Sequence, residues 1–85
     1  MSYYNLTGTQ NFYGQRDVKT YYNVPAHKVW KGLEYMAENF NLPAVFVYKK
    51  IHGVRLEDCP FVGTYSRKYK NFRTSDGRVT NTFSF

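Results

Sequence analysis

The sequence has little acid and only one cysteine, and both shortages limit what the protein can do. Cys59 stands alone, which excludes an intramolecular disulfide and a thiolate metal cluster. No spacing of metal ligands appears either, so we expect no metal. Six acidic residues against twelve lysines and arginines leave a formal net charge of +6 at pH 7. This charge favours an anionic partner such as RNA, DNA, an acidic protein or an anionic membrane.

Long hydrophobic runs are missing as well. No stretch is apolar enough to span a bilayer, and the first residues lack the pattern of a secretory signal peptide. We therefore expect a soluble, cytoplasmic protein without a membrane partner. The chain has no internal repeat and no long low-complexity linker, and 85 residues are the length of one domain. Residues 1–85 are therefore expected to form a single domain.

Motifs typical of catalysis are not found. His27 and His52 are far apart in the sequence, and there is no phosphate-binding glycine loop or nucleophile motif. Glu57 and Asp58 are adjacent, so on a strand they would point to opposite faces, which does not suit a pair of catalytic carboxylates. We expect that the protein is not an enzyme, has no catalytic residue and needs no cofactor.

The clearest secondary-structure signal is an amphipathic helix over residues 25–40. Pro25 suits the first helical position, and Asn41 can take the left-handed conformation that ends a helix. We expect the apolar stripe of this helix to cover a sheet, with Trp30 and Phe40 as the main core residues. The stripe recurs at three- and four-residue steps and consists of Ala26, Val29, Trp30, Leu33, Ala37 and Phe40.

Strand patterns lie on both sides of this helix. Residues 16–24 alternate before it, residues 44–51 begin as a continuous apolar run after it, and residues 54–57 alternate again. The first dozen residues fit either an ordered strand or part of a flexible Tyr-rich arm of residues 1–15. We expect an α+β domain in which one helix packs on one face of an antiparallel sheet of about four to five strands.

The segment 64–85 carries the strongest hairpin signal. Asp76-Gly77 lies between two runs that suit strands. A two-residue turn there would place Thr74 opposite Val79, Phe72 opposite Asn81, and Lys70 opposite Phe83. The same register would gather cations, a ring and short polar side chains on the other face: Arg67, Tyr69, Asn71, Arg73, Thr80, Thr82 and Ser84.

This hairpin is the predicted site. It contains five cations, and Asp76 is its only acid. Cations bind phosphates and exposed aromatic rings stack on bases, so the segment favours nucleic acid, with RNA preferred. The alternative is a solvated, charged strand edge that discourages aggregation. The predicted nucleic-acid-binding residues are Tyr65, Arg67, Lys68, Tyr69, Lys70, Asn71, Arg73 and Arg78, with a second small basic cluster at Lys49 and Lys50.

The basic aromatic run Arg67–Arg73 and the nine tyrosines give the chain a resemblance to the small accessory proteins of tailed phages. Among these it is similar in size and charge to a T4-type inhibitor of a host ribonuclease toxin. That resemblance implies a counter-defence protein of the host cytoplasm, which binds RNA together with a host nuclease or toxin.

Two other functions remain open. The protein could inhibit or link proteins, using its basic Tyr-rich face on an acidic partner without nucleic acid. A structural component of a virus particle is the third candidate, and it would self-associate. The sequence does not give the oligomeric state.

Overall fold

In a computed structural model, the chain folds into one antiparallel sheet with a single α-helix on one face. The structure describes residues 2–85, except for the side chains of Asn11 and Phe12. The predicted α+β architecture is confirmed, although the described residues form six strands. The strands are β1 (Tyr3–Phe12), β2 (Gln15–Pro25), β3 (Ala44–Lys49), β4 (Phe61–Ser66), β5 (Asn71–Thr74) and β6 (Val79–Thr80), and the helix is α1 (Val29–Asn39). Across the sheet their order is β2-β1-β3-β4-β5-β6.

The first strand lies inside the sheet. Of the two alternatives for the N-terminal residues, the structure has the strand, because β1 pairs with β2 on one side and with β3 on the other. Tyr13 and Gly14 join β1 to β2 with backbone φ angles of 51° and 79°. Two consecutive residues with positive φ are typical of the type I′ turn, whose twist matches that of the paired strands.

The helix starts later than its sequence pattern predicts and ends where expected. Pro25 is extended and ends β2, and a 3₁₀ turn, Ala26–Lys28, leads into α1. Asn41 has the predicted left-handed conformation, with a φ of 53°. The amide of Leu42 then donates to the carbonyl oxygen of Ala37 at 3.1 Å. This six-residue closure is the Schellman motif, and it places Leu42 in the core.

The core lies between α1 and the facing side of the sheet. Trp30 and Phe40, predicted as main core residues, are only half-buried, and Met36 is fully buried in their place. A Cβ atom on Gly32 would lie 2.9 Å from Cδ1 of Leu6, so the glycine allows the helix to approach β1 closely. The fully buried apolar side chains are Leu6, Val29, Leu33, Met36, Ala37, Leu42, Val45, Val47 and Phe72.

The prediction of a strand over residues 54–57 is wrong. This segment is a loop that ends in a 3₁₀ turn, Leu56–Asp58. The amide of Asp58 donates to the carbonyl oxygen of Arg55 at 3.0 Å, and the Arg55 guanidinium lies 3.5 Å from a carboxylate oxygen of Glu57. These contacts are local, and the segment pairs with no strand in the described chain.

Candidate functional site

The face of the sheet turned away from α1 is the candidate site, and we call it the helix-free face. Strand pairing places one side chain from each strand in a row across it. Asp17 is the only acidic residue in the six strands, and it points to the other face, where Lys19 lies 4.0 Å away. No carboxylate therefore belongs to the strand residues described on this face. The row reads Thr20, Thr7, Phe46, Thr64, Arg73 and Val79.

Three aromatic rings lie on the helix-free face, on the central strands. The ring centroids of Tyr48 and Phe61 are 5.4 Å apart, and those of Phe46 and Phe61 are 6.4 Å apart. Phe61 is 41% exposed. The sequence did not single out these rings because residues 44–51 begin as a continuous apolar run, which leaves open which side of β3 meets the helix. The full burial of Val45 and Val47 settles that choice.

A groove of about 350 Å³ lies beside these rings, starting at Thr64, which pairs with Phe46, and reaching the far strands of the sheet. Tyr69 is 67% exposed at one end, and Arg73 lies exposed on β5. Three of the predicted binding residues, Tyr69, Asn71 and Arg73, are thus brought together. The full lining is Thr64, Ser66, Tyr69, Asn71, Arg73 and Val79.

Residues 67–70 form a turn between β4 and β5, so the prediction that they continue a strand is wrong. Lys70 takes a φ of 52°, and the amide of Tyr69 donates to Oγ of Ser66 at 3.4 Å. The turn also explains how Lys68 and Lys70 avoid the buried face that strict alternation would give them. Both are exposed, and the Lys68 ammonium lies 5.3 Å from the centroid of the Tyr69 ring.

The hairpin at Asp76-Gly77 is present, but its register differs from the prediction. The amide of Gly77 donates to the carbonyl oxygen of Thr74 at 2.9 Å, and that of Thr74 to the carbonyl oxygen of Arg78 at 2.8 Å. The loop therefore has three residues and ends with Gly77 at a φ of 93°. One extra loop residue exchanges the faces of the return strand. Val79 consequently lies opposite Arg73 on the helix-free face.

The residues that face each other across the hairpin therefore differ from the predicted pairs by one position. Thr80 lies opposite Phe72, on the side of the helix, and strand pairing stops there. Phe83 and Phe85 nevertheless pack on the core, because the centroids of their rings lie 5.0 and 5.3 Å from that of Phe72. Thr82 and Ser84 are exposed but belong to no strand.

Tyr65 cannot stack on a base, contrary to the prediction, because it is 4% exposed and faces α1. Its ring meets Trp30 edge-on with centroids 5.6 Å apart. Arg67 also has a structural partner. Its guanidinium donates to the side-chain oxygen of Asn41, and its amide donates to the carbonyl oxygen of Pro43. Arg67 therefore ties the β4–β5 turn to the end of the helix.

The remaining predicted cations lie at the opposite end of the sheet from this turn. Lys49 ends β3, and the amide of Lys50 donates to the carbonyl oxygen of Tyr3 at 2.8 Å. Arg78 is beside Asp76, whose pKa is lowered by a hydrogen bond from the Thr74 hydroxyl and by the Arg78 amide. This carboxylate stays ionised next to Arg78. The structure does not bring these three cations to the groove.

Tyr65 gives a prediction for alkaline pH. Burial first, and then the charges of Glu34 and Glu38, raise the pKa of its hydroxyl above the ordinary value of 10.0. The folded state therefore favours the protonated phenol. Its contribution to stability is complete below pH 10 and is lost as the pH rises through the folded pKa. We expect urea midpoints to fall above pH 10 more steeply for the wild type than for Tyr65→Phe. Equal slopes would contradict this assignment.

The two histidines lie in different parts of the fold. His27 lies in the 3₁₀ turn before α1 and His52 in the loop after β3, and both are exposed. Within residues 2–85, no three His, Cys, Asp or Glu side chains come close enough together to hold a metal ion. In the same range, no helix has the length and apolar character that crossing a membrane requires.

Comparisons of the chain with protein-family models, with curated proteins and with solved structures find no match. The resemblance to phage accessory proteins therefore rests on the basic aromatic run and the tyrosine content alone.

Proposed function

We propose that the protein binds single-stranded nucleic acid, with RNA preferred, in the groove on its helix-free face. The observation that carries this proposal is the pairing of an exposed ring, Tyr69, with an exposed guanidinium, Arg73, in one groove on a face whose strands present no carboxylate. A stacking surface combined with positive charge is the usual means of binding unpaired bases and the phosphates that join them.

The groove and the residues around it supply each kind of contact that such a ligand needs. Tyr69 offers a face for one base, and Phe46 and Phe61 offer a second surface across Thr64. Arg73 and the two exposed turn lysines, Lys68 and Lys70, would bind phosphates. The hydroxyls of Thr64 and Ser66 and the amide of Asn71 also line the groove. They can exchange hydrogen bonds with a ribose 2′-hydroxyl, which DNA lacks.

A narrower proposal follows from the resemblance to toxin inhibitors. RNA held in the groove would then bridge this protein and a host nuclease or toxin. The competing proposal is an adaptor that binds an acidic protein directly, and exposed Tyr and Arg side chains also favour it, since both are common interface anchors. Capture of partners from extract with and without RNase separates the two. Loss of the partner after RNase supports the bridge, and its retention supports the adaptor.

The direct test is a titration of a short, fluorescein-labelled single-stranded RNA, and of DNA of the same sequence, followed by fluorescence anisotropy. Neutralising about four phosphates predicts that the logarithm of the affinity falls with the logarithm of salt at a slope of about −3. Arg73→Gln is expected to weaken binding and to reduce the slope by about 0.7, because one phosphate contact is lost.

Arg55→Gln is the matched control. Arg55 is 78% exposed, lies outside the strands and pairs with Glu57 and Asp58. We expect it to leave both affinity and slope close to those of the wild type. If Arg73→Gln and Arg55→Gln have the same effect, the charge acts non-specifically and the groove is not the site.

A further inference from the structure

Strand β2 forms one of the two edges of the sheet, and its outer side pairs with no strand in the described chain. It is eleven residues long, Gln15–Pro25, and its register with β1 is continuous from Gln15 to Tyr21. A long, regular edge strand is a template on which a further strand can add.

The turn fixes which residues of β2 offer hydrogen bonds outwards. Phe12 and Gln15 flank the two-residue turn, so they form a hydrogen-bonded pair, and the pairs alternate from there. Val18 therefore belongs to a non-hydrogen-bonded pair, and its N–H and C=O point to the free edge. Arg16 and Thr20 share this orientation. The hydroxyls of Thr7 and Thr20 lie 3.0 Å apart, as the closer spacing of a non-hydrogen-bonded pair allows.

The charges on β2 distinguish between adjacent registers of pairing with a second copy. In an antiparallel pair about a two-fold axis, the hydrogen-bonded residues must be those that point outwards. With the axis at Val18, Asp17 lies opposite Lys19 of the second copy, and Lys19 opposite Asp17. Moving the axis by one residue places two Asp17 or two Lys19 side chains opposite each other, and opposed like charges are destabilising.

We propose that two copies of this protein associate through antiparallel pairing of their β2 strands, with the two-fold axis at Val18. Asp17 and Lys19 can reach this contact, because their side chains are 63% and 44% exposed. Val18, which is 52% exposed, would meet its counterpart at the axis. The six-stranded sheet would continue into that of the second copy, with both helices on the same side.

Charge reversal tests the pairing by sedimentation equilibrium at low salt. The wild type is expected to dimerise, and Asp17→Lys and Lys19→Asp are each expected to weaken the dimer by about tenfold, because each reversal creates two repulsive pairs. The double variant D17K/K19D exchanges the charges and should restore the wild-type constant. Lys31→Glu, on the exposed face of α1, makes a similar charge change away from the edge and is expected to have no effect.

Val18→Pro removes an outward N–H without breaking the ladder to β1, and proline is tolerated at such edge positions. We expect this variant to be a folded monomer by circular dichroism and sedimentation. A wild type that stays monomeric at all concentrations would overturn the proposal and leave the edge for a strand of another protein. A folded double variant that does not dimerise would overturn the register.

Discussion

Replacing Phe72 with alanine is expected to lower the free energy of unfolding by about 3–5 kcal/mol. Phe72 is fully buried, and its ring is in contact with Phe83 and Phe85. Gly63 lies against the same ring, since a Cβ atom there would be 2.5 Å from its Cζ. The glycine has no side chain to fill the cavity that the substitution leaves. A domain of this size has a total stability of only about 4–13 kcal/mol, so Phe72→Ala removes a large part of it.

Urea unfolding followed by circular dichroism measures this loss, and Phe61→Ala is its control. The same substitution there removes a ring that is 41% exposed on the helix-free face. We expect a cost below about 1.5 kcal/mol, mainly the contacts with Phe46 and Tyr48. Equal midpoints for Phe72→Ala and Phe61→Ala would mean that the two faces of the sheet are wrongly assigned.

Tyr69→Ala is expected to lower the affinity for single-stranded RNA by about 5- to 150-fold, because one stacked base contributes about 1–3 kcal/mol. The ring is 67% exposed and its loss leaves the core intact. Tyr69→Phe keeps the stacking surface and should bind nearly as well as the wild type. Anisotropy titrations measure the affinities, and circular dichroism verifies that each variant folds.

The control for this experiment is Tyr35→Ala, which removes a 53% exposed ring from α1, on the opposite side of the sheet. We expect its RNA affinity to be unchanged. If Tyr69→Ala binds as well as Tyr69→Phe, the ring does not stack on a base, and the proposed groove is left with electrostatic contacts alone.

The sequence predicts the helix and the general fold well because their signals are local. The stripe of α1 and the left-handed Asn41 depend only on residues close in the chain, and both are found. The sequence does not predict as well which side of each strand packs against the helix. In β3 the two faces are almost equally apolar, and the preference for Val47 over Phe46 comes from packing against α1.

The geometry of the candidate site differs from the sequence prediction, and one extra loop residue is the first reason. Asp76-Gly77 does form a turn, but the hydrogen bonds between Thr74 and Arg78 make Ser75 part of the loop as well. With this extra loop residue, Val79 lies on the same face as Arg73. The basic run Arg67–Arg73 precedes this turn in the sequence. Its alternation failed because Arg67–Lys70 is a turn, and the burial of Tyr65 depends on Trp30, which is distant in sequence.

The position of β1 between β2 and β3 has a consequence for how the chain folds. The hairpin β1–β2 and the succession β3 to β6 each pair strands that are neighbours in sequence. Their junction joins Thr7 to Phe46, which are 39 positions apart, across the hairpin turn and the whole helix. Contacts between distant residues form slowly, because the intervening chain must first lose its freedom. We therefore expect the pairing of β1 with β3 to be the slowest step in the folding of this domain. Two halves that form locally would become one cooperative unit at that step.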